Sequence, residues 1–265
     1  MICRLRAVLV LVFSLVGMVG VASAEDVINT DRPGTVESTQ VVGPGRWQLE
    51  TSYALAREGK DSPKVRSYST RTLLRIGLSD KLELRVETDG LMRESTWSGN
   101  AKTTAQGSND VALGVKWRLR DAPSDCESCP NTAWLFHVDT PTGTSDFREQ
   151  GLRPSARYVA EWDWGIWSLG VMPGIYVGHN DENKRYLGGI FAVSLGAQLN
   201  DRAHTFIEFS GDQLTSPQNG GNSVSIDTGL AYLLTNQVQV DVSFVRGVSK
   251  AAPKQQWAVG LSFMY

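Results

Sequence analysis

Beyond residue 25 the sequence contains no apolar run approaching the roughly 18 to 20 residues that a membrane-crossing helix needs, which excludes a polytopic helical membrane protein. It also lacks any block rich in lysine and arginine, with 26 basic residues against 28 acidic ones. Such a chain has no electrostatic footprint for nucleic acid, and that partner class is excluded too. Cysteine and histidine are scarce, at three residues each. No G-x-S-x-G nucleophile elbow occurs. None of these absences excludes a transmembrane β-barrel. Its alternating lipid-facing and lumen-facing residues average to a moderate hydropathy, and the mean here is −0.20.

The N-terminus carries an export signal. Arg4 and Arg6 precede an apolar run from Ala7 to Val21, and Ala22-Ser23-Ala24 forms a small-residue cleavage site before Glu25-Asp26. Residues 1–24 therefore read as a signal peptide, and Cys3 is lost with it. Without Arg4 and Arg6 the balance becomes 24 basic against 28 acidic residues, a weakly acidic mature chain. The two remaining cysteines, Cys126 and Cys129, lie in Asp125-Cys126-Glu127-Ser128-Cys129-Pro130. In an oxidising compartment a local disulfide is the simplest reading. Asp125 and Glu127 disfavour a redox thiolate, and no histidine or second cysteine pair lies nearby to complete a zinc site. Neither a cofactor nor a metal is expected.

From Trp47 onward the chain repeats one device: eight to twelve residues of apolar/polar alternation, then a turn. Val111, Leu113, Val115, Trp117 and Leu119, for example, alternate with Asp110, Ala112, Gly114, Lys116 and Arg118. The count is about twelve strands. Links near Ser79-Asp80, Asp163-Trp164, Asn200-Arg202 and Thr235-Asn236 are tight, and those between them are longer and rich in Gly, Ser, Asn and Pro. Short periplasmic turns alternating with long outer loops are the pattern of an all-β, antiparallel transmembrane barrel. The stretch around Cys126 to Pro130 should be short by parity and is not. Trp47, Trp117, Trp134, Trp162, Trp164, Trp167 and Tyr232 gather on the short-turn side, as an interfacial girdle would. The last strand should pair with the first. It ends on the alternating Trp257, Val259, Leu261, Phe263 and Tyr265, which resemble the C-terminal signature read by the barrel assembly machinery. That machinery and outer-membrane lipids are the expected partners, together with a small-molecule solute. Residues 45–265 are assigned to the barrel.

Several segments carry a family resemblance. They are Thr30-Asp31-Arg32-Pro33-Gly34, Gly43-Pro44-Gly45-Arg46-Trp47-Gln48-Leu49-Glu50, the run from Thr72 to Arg85, Asn109 to Trp117, and Thr140-Pro141-Thr142-Gly143. Together they resemble the MetA-pathway of phenol degradation family. The resemblance implies an exported outer-membrane barrel, transporter-like and linked to uptake of aromatic compounds; it supplies no binding residues.

The polar face of the strands carries Arg71, Arg75, Glu83, Arg85, Glu87, Asp89, Asp110, Lys116 and Arg118, which in a barrel point into the lumen. They form either a salt-bridge ladder that fills a narrow barrel or a lining that sets selectivity for a solute. If the hairpin turn centres on Ser79, Arg75 faces Glu83 and Arg71 faces Glu87. A shift by one position would set Arg75 against Arg85, a like-charge contact that disfavours that register. Residues 25–44 lack periodicity. They form a periplasmic tail or a lumen plug, with Asp31 and Arg32 available to pair with the charged lining. An outer-membrane channel or transporter for small solutes is the leading functional expectation, and a structural or surface-interaction role is the alternative. A lipid-hydrolysing barrel is disfavoured: His137, His179 and His204 lack a catalytic serine partner, and Asp181 occupies the position where a His-x-Ser motif would need serine.

Overall fold

Strict alternation obliges each strand to present one face to an apolar surrounding and the other to a polar one, and a closed barrel in lipid satisfies both without leaving an open edge. The computed structural model describes residues 27–58, 63–180 and 182–265, so the signal-peptide assignment lies outside the described residues. Fourteen strands form one antiparallel sheet. In chain order they are β1 (Trp47–Glu58), β2 (Lys64–Ser79), β3 (Leu82–Thr88), β4 (Leu91–Ser98), β5 (Ala101–Ser108), β6 (Val111–Arg120) and β7 (Asn131–Thr140). The second half comprises β8 (Arg153–Trp164), β9 (Trp167–His179), β10 (Arg185–Asn200), β11 (Ala203–Leu214), β12 (Ser223–Thr235), β13 (Val238–Gly247) and β14 (Gln255–Met264).

Only twelve of these strands build the wall. β2 pairs with β3 along its lower part and with β4 along its upper part, and β4 pairs onward with β5. β3 and β4 are thus two lengths of one long strand, broken at Asp89-Gly90, and β5 and β6 are two lengths of the next. The β4–β5 hairpin continues above the rim. Gly90 makes this break at φ +68°, where a Cβ would lie 2.2 Å from the Thr70 carbonyl oxygen, so a side chain is excluded on both grounds. The ring closes through β1 and β14, with Trp257 opposite Leu55 and Tyr265 exchanging backbone hydrogen bonds with Trp47. Closure also brings the Trp47 ring against Phe263 and Tyr265, with centroids 5.5 and 5.7 Å apart.

The register of the β2–β3 hairpin differs from the sequence-based expectation. A two-residue turn at Asp80-Lys81 and an irregularity between Gly77 and Ser79 set Arg75 opposite Arg85 and Leu73 opposite Glu87. The like charges are tolerated because Glu83 lies diagonally between them. It accepts from Arg75 Nε at 2.9 Å and from Arg85 Nη1 at 2.9 Å. Arg71 bonds not to Glu87 but to Asp89, at 3.0 Å. A cross-strand rule applied to pairs alone misses a carboxylate that serves two cations at once.

Cys126 and Cys129 are bonded to each other in the β6–β7 connection, at the same end as the other short turns. The indole N–H groups of Trp162 and Trp164 donate to the carbonyls of Ser128 and Glu127, each at 3.0 Å, tying this longer link to the β8 rim. Outward-facing residues stay exposed, Leu113, Leu195, Ile207 and Val259 among them. Val193, flanked across the sheet by Val171 and Phe209, stands four residues above Ala197, the partner of the rim residue Trp167, and so lies near mid-height of the apolar band. Val193→Arg is therefore expected to destabilise the barrel by about 2–4 kcal/mol, the cost of a cation near the bilayer midplane. Urea titration in lipid vesicles would measure it; an unchanged midpoint would mean that this face does not meet lipid.

Candidate functional site: the barrel lumen

Inward-facing positions combine charged groups with an apolar strip. On one side stand Glu50 of β1, Arg75 of β2, Glu83 and Arg85 of β3 and Lys116 of β6, all essentially inaccessible to solvent. On the other, Leu135 of β7, Val159 of β8, Met172 of β9 and Ala192 of β10 form a buried apolar cluster. Between the two walls runs the segment that precedes β1.

This segment enters at the short-turn end, where the Ile28 N–H donates to the Asn236 carbonyl at 2.7 Å. It climbs to Val36 and Glu37 and returns along β2. Its backbone N–H groups meet carboxylates projecting from the wall. Those of Asp31 and Arg32 donate to Glu50, those of Thr35 and Val36 to Glu208 at 2.7 and 2.8 Å, that of Thr39 to Glu161, and that of Val42 to Glu83 at 2.8 Å. In the opposite sense, Arg75 donates to the carbonyls of Asn29 and Gln40 at 2.9 and 2.7 Å. Val36 packs on the apolar cluster. Gly77 lets the returning leg pass: a Cβ there would lie 2.0 Å from the Gly43 carbonyl oxygen.

Side chains complete the attachment. The Asp31 carboxylate receives Lys116 Nζ at 2.7 Å and Arg85 Nη1 at 2.6 Å, with Arg75 Nη1 at 3.5 Å. Burial by itself raises its pKa, but Arg75, Lys116 and Arg85 outweigh that effect and hold the carboxyl well below the usual carboxylate range. Arg32 pairs with Asp241 of β13 at 2.9 Å. Glu37 bridges Arg85 and Arg157, the latter at 2.7 Å.

The residues singled out from sequence are not one cluster. Arg75, Glu83, Arg85 and Lys116 meet Asp31 at the centre. Arg71 and Asp89 pair at the upper mouth, where both are half exposed. Glu87 lines the same mouth, together with Arg157. Asp110 instead anchors the loop between β7 and β8, bonding Arg153 at 3.0 Å and the N–H groups of Gly143 and Glu149. Arg118 lies near the lower rim and pairs with Asp121. Sequence reasoning missed Glu37, Glu50, Arg157, Glu161, Glu208 and Asp241. Glu50 and Asp241 stand at inward positions of clearly alternating strands, so a search for acids facing the lumen would have found those two.

Cavities flank the inserted segment. One of about 470 Å³ opens at the short-turn end, between Asn29, Arg32, Gln198, His204 and Gln239. Another of about 270 Å³ lies towards the long loops, between Arg32, Glu37, Arg71, Glu87, Met172 and Asp212.

A closed, twelve-stranded antiparallel barrel with an apolar belt, an aromatic rim and a polar interior is the architecture of outer-membrane β-barrel proteins. The fold is similar to that of the NanC porin (TM-score 0.51, 12% identity, 81% of this chain and 98% of that one). It is equally similar to the translocator domain of the autotransporter NalP from Neisseria meningitidis (TM-score 0.51, 12% identity, 82% and 87%). The family model "Putative MetA-pathway of phenol degradation" matches residues 30–265, and the chain belongs to that family. The match begins within the inserted segment, so the segment and the wall that holds it fall inside the family's pattern. A comparison with curated proteins finds no match.

Proposed function

We infer that the protein is an outer-membrane channel for small aromatic solutes bearing a polar group, with residues 28–43 as a plug standing in the solute path. The observation that carries this reading is the pairing of a charged wall (Arg75, Arg85, Lys116) with an apolar strip (Leu135, Val159, Met172) across one lumen, with Val36 on the strip and Asp31 on the cations. A phenol or an aromatic acid has the same two-sided character as this part of the plug: a carboxylate or hydroxyl for the cations and a ring for the strip. The family's link to phenol degradation agrees with that chemistry. A catalytic role finds less support. The His137 Nε2 accepts from Arg85 Nε at 3.1 Å, and the His204 ring stacks on Phe206. Neither arrangement prepares a nucleophile.

Single-channel recording of the refolded protein in planar bilayers tests the reading. Rare openings are expected, with the open current reduced by millimolar benzoate and much less by a sugar of similar size. Complete absence of conductance in both the wild type and plug-releasing variants, or equal block by the two solutes, would contradict it.

A further inference from the structure

The outer face of the β1–β2–β4–β5 wall carries a feature that the solute path does not use. Arg57 of β1 and Arg66 of β2 are direct cross-strand partners, Lys64 of β2 stands opposite Trp97 of β4, and Trp97 opposite Lys102 of β5. Arg93 of β4 lies beside Tyr68. Five cations thus share one face. The two acidic residues of these strands near them, Glu58 and Glu94, occupy alternate positions that point to the other face. Among the described residues none of the five forms an ion pair with a carboxylate. Arg66 and Lys102 instead flank the Trp97 ring, at 5.8 and 5.1 Å from its centroid. Arg66, Arg93, Lys102 and Trp97, with Tyr53, Tyr68 and Leu91, surround a hollow of about 760 Å³ whose described lining holds no acidic group, and Arg57 and Lys64 stand beside it, opposite Arg66 and Trp97. Like charges placed directly opposite one another repel, and among the described residues no carboxylate pairs with these cations to offset the repulsion.

Height supplies the second observation. Trp47 belongs to the aromatic rim at the short-turn end. Ten residues of strand at about 3.3 Å each, tilted by about 40°, climb about 25 Å, the thickness of the apolar band. Arg57 and Arg66 therefore emerge at the level of the outer-leaflet headgroups, with the exposed Tyr53 ring just below them in the acyl region. We propose that this hollow binds the phosphate groups of an anionic, phosphorylated glycolipid of the outer leaflet, with the acyl chains descending past Tyr53 and Leu55. The cations neutralise the phosphates, the aromatic rings carry the sugar, and the repulsion between Arg57 and Arg66 becomes a cooperative grip on a shared anion.

Native mass spectrometry of the full refolded protein in detergent tests this with diphosphorylated lipid A as the probe. The wild type should retain the lipid about tenfold or more in preference to the same lipid stripped of both phosphates. Arg57→Gln, Arg66→Gln, Arg93→Gln and Lys102→Gln combined should abolish that preference. Removing four cations elsewhere at the same end (Arg148, Lys184, Arg185 and Arg246) should leave it intact. Heat-modifiable migration on gels confirms that each variant is folded. Equal retention of the two lipids by the wild type, or equal loss in both variant sets, would overturn the proposal. So would displacement of the lipid by millimolar pyrophosphate alone, which would mark a site for free anions.

Discussion

Replacing Asp31 with alanine is expected to free residues 28–43 from the lumen while leaving the barrel folded. The substitution removes one carboxylate shared by Lys116, Arg85 and Arg75 and leaves the three cations to their remaining contacts with Glu83, Glu50 and Glu37. Removing one partner of a buried ion pair costs about 3–5 kcal/mol, because the remaining charge loses its compensation. The segment keeps its ion pairs through Arg32 and Glu37 and its backbone bonds to Glu208, Glu161 and Glu83, so its hold is weakened at the centre and not abolished. Docking should then be lost for part of the time. Conductance should become frequent and sustained, and residues 28–43 should become accessible to protease from the short-turn side. The pH dependence has a defined sign. The pKa of Asp31 is depressed in the folded state, so its contribution is fully present above the unfolded value of about 3.9 and is lost as pH falls below it. Mild acidification to about pH 5 should therefore leave the contact of Asp31 with Lys116 and Arg85 intact. Closed behaviour of Asp31→Ala identical to that of the wild type would remove the central ionic contact from the account.

The wall is legible in the sequence, and the contacts inside it are not. Alternation located most wall strands plainly and those near 132–140, 153–163 and 203–212 more weakly, since a side-chain period of two is both local and redundant where the run is long. Trp47, Trp117, Trp164 and Trp167 lie on the outer face near the short turns, where amphipathic rings favour an interface. The register of the β2–β3 hairpin was not legible. It is set by the two-residue Asp80-Lys81 turn and by three-body electrostatics in which Glu83 and Asp31 screen Arg75 from Arg85. The partners of the inserted segment were hidden for a different reason. Glu208 and Glu161 are singled out by contacts with Thr35, Val36 and Thr39, which lie 122 to 173 residues away in sequence. Backbone N–H donors carry no residue-specific mark, so no pattern of side chains announces them. The β4–β5 extension escaped notice because its second strand, Ala101–Ser108, holds no large apolar residue to alternate and reads as loop.

Glu83→Ala should act on the wall itself, in contrast to Asp31→Ala. Glu83 is inaccessible to solvent and makes a two-pronged contact with Arg75, at 2.9 and 3.0 Å, while also accepting from Arg85 and from the Val42 N–H. Its loss leaves two guanidinium groups directly opposite each other in the observed register, with Asp31 as the carboxylate they still share. A cost of about 3–5 kcal/mol is expected, felt by the barrel rather than by the segment alone. The urea midpoint for loss of the folded, fast-migrating band should fall markedly in Glu83→Ala and only slightly in Asp31→Ala. Adding Arg75→Met to Glu83→Ala should recover part of the lost stability, because removing both members of a buried pair is far less costly than removing one. Recovery would be incomplete, since Arg75 also holds the Asn29 and Gln40 carbonyls. If the double variant were as unstable as the sum of the two single variants, like-charge repulsion between Arg75 and Arg85 would not be what Glu83 relieves, and its role would reduce to tethering Val42.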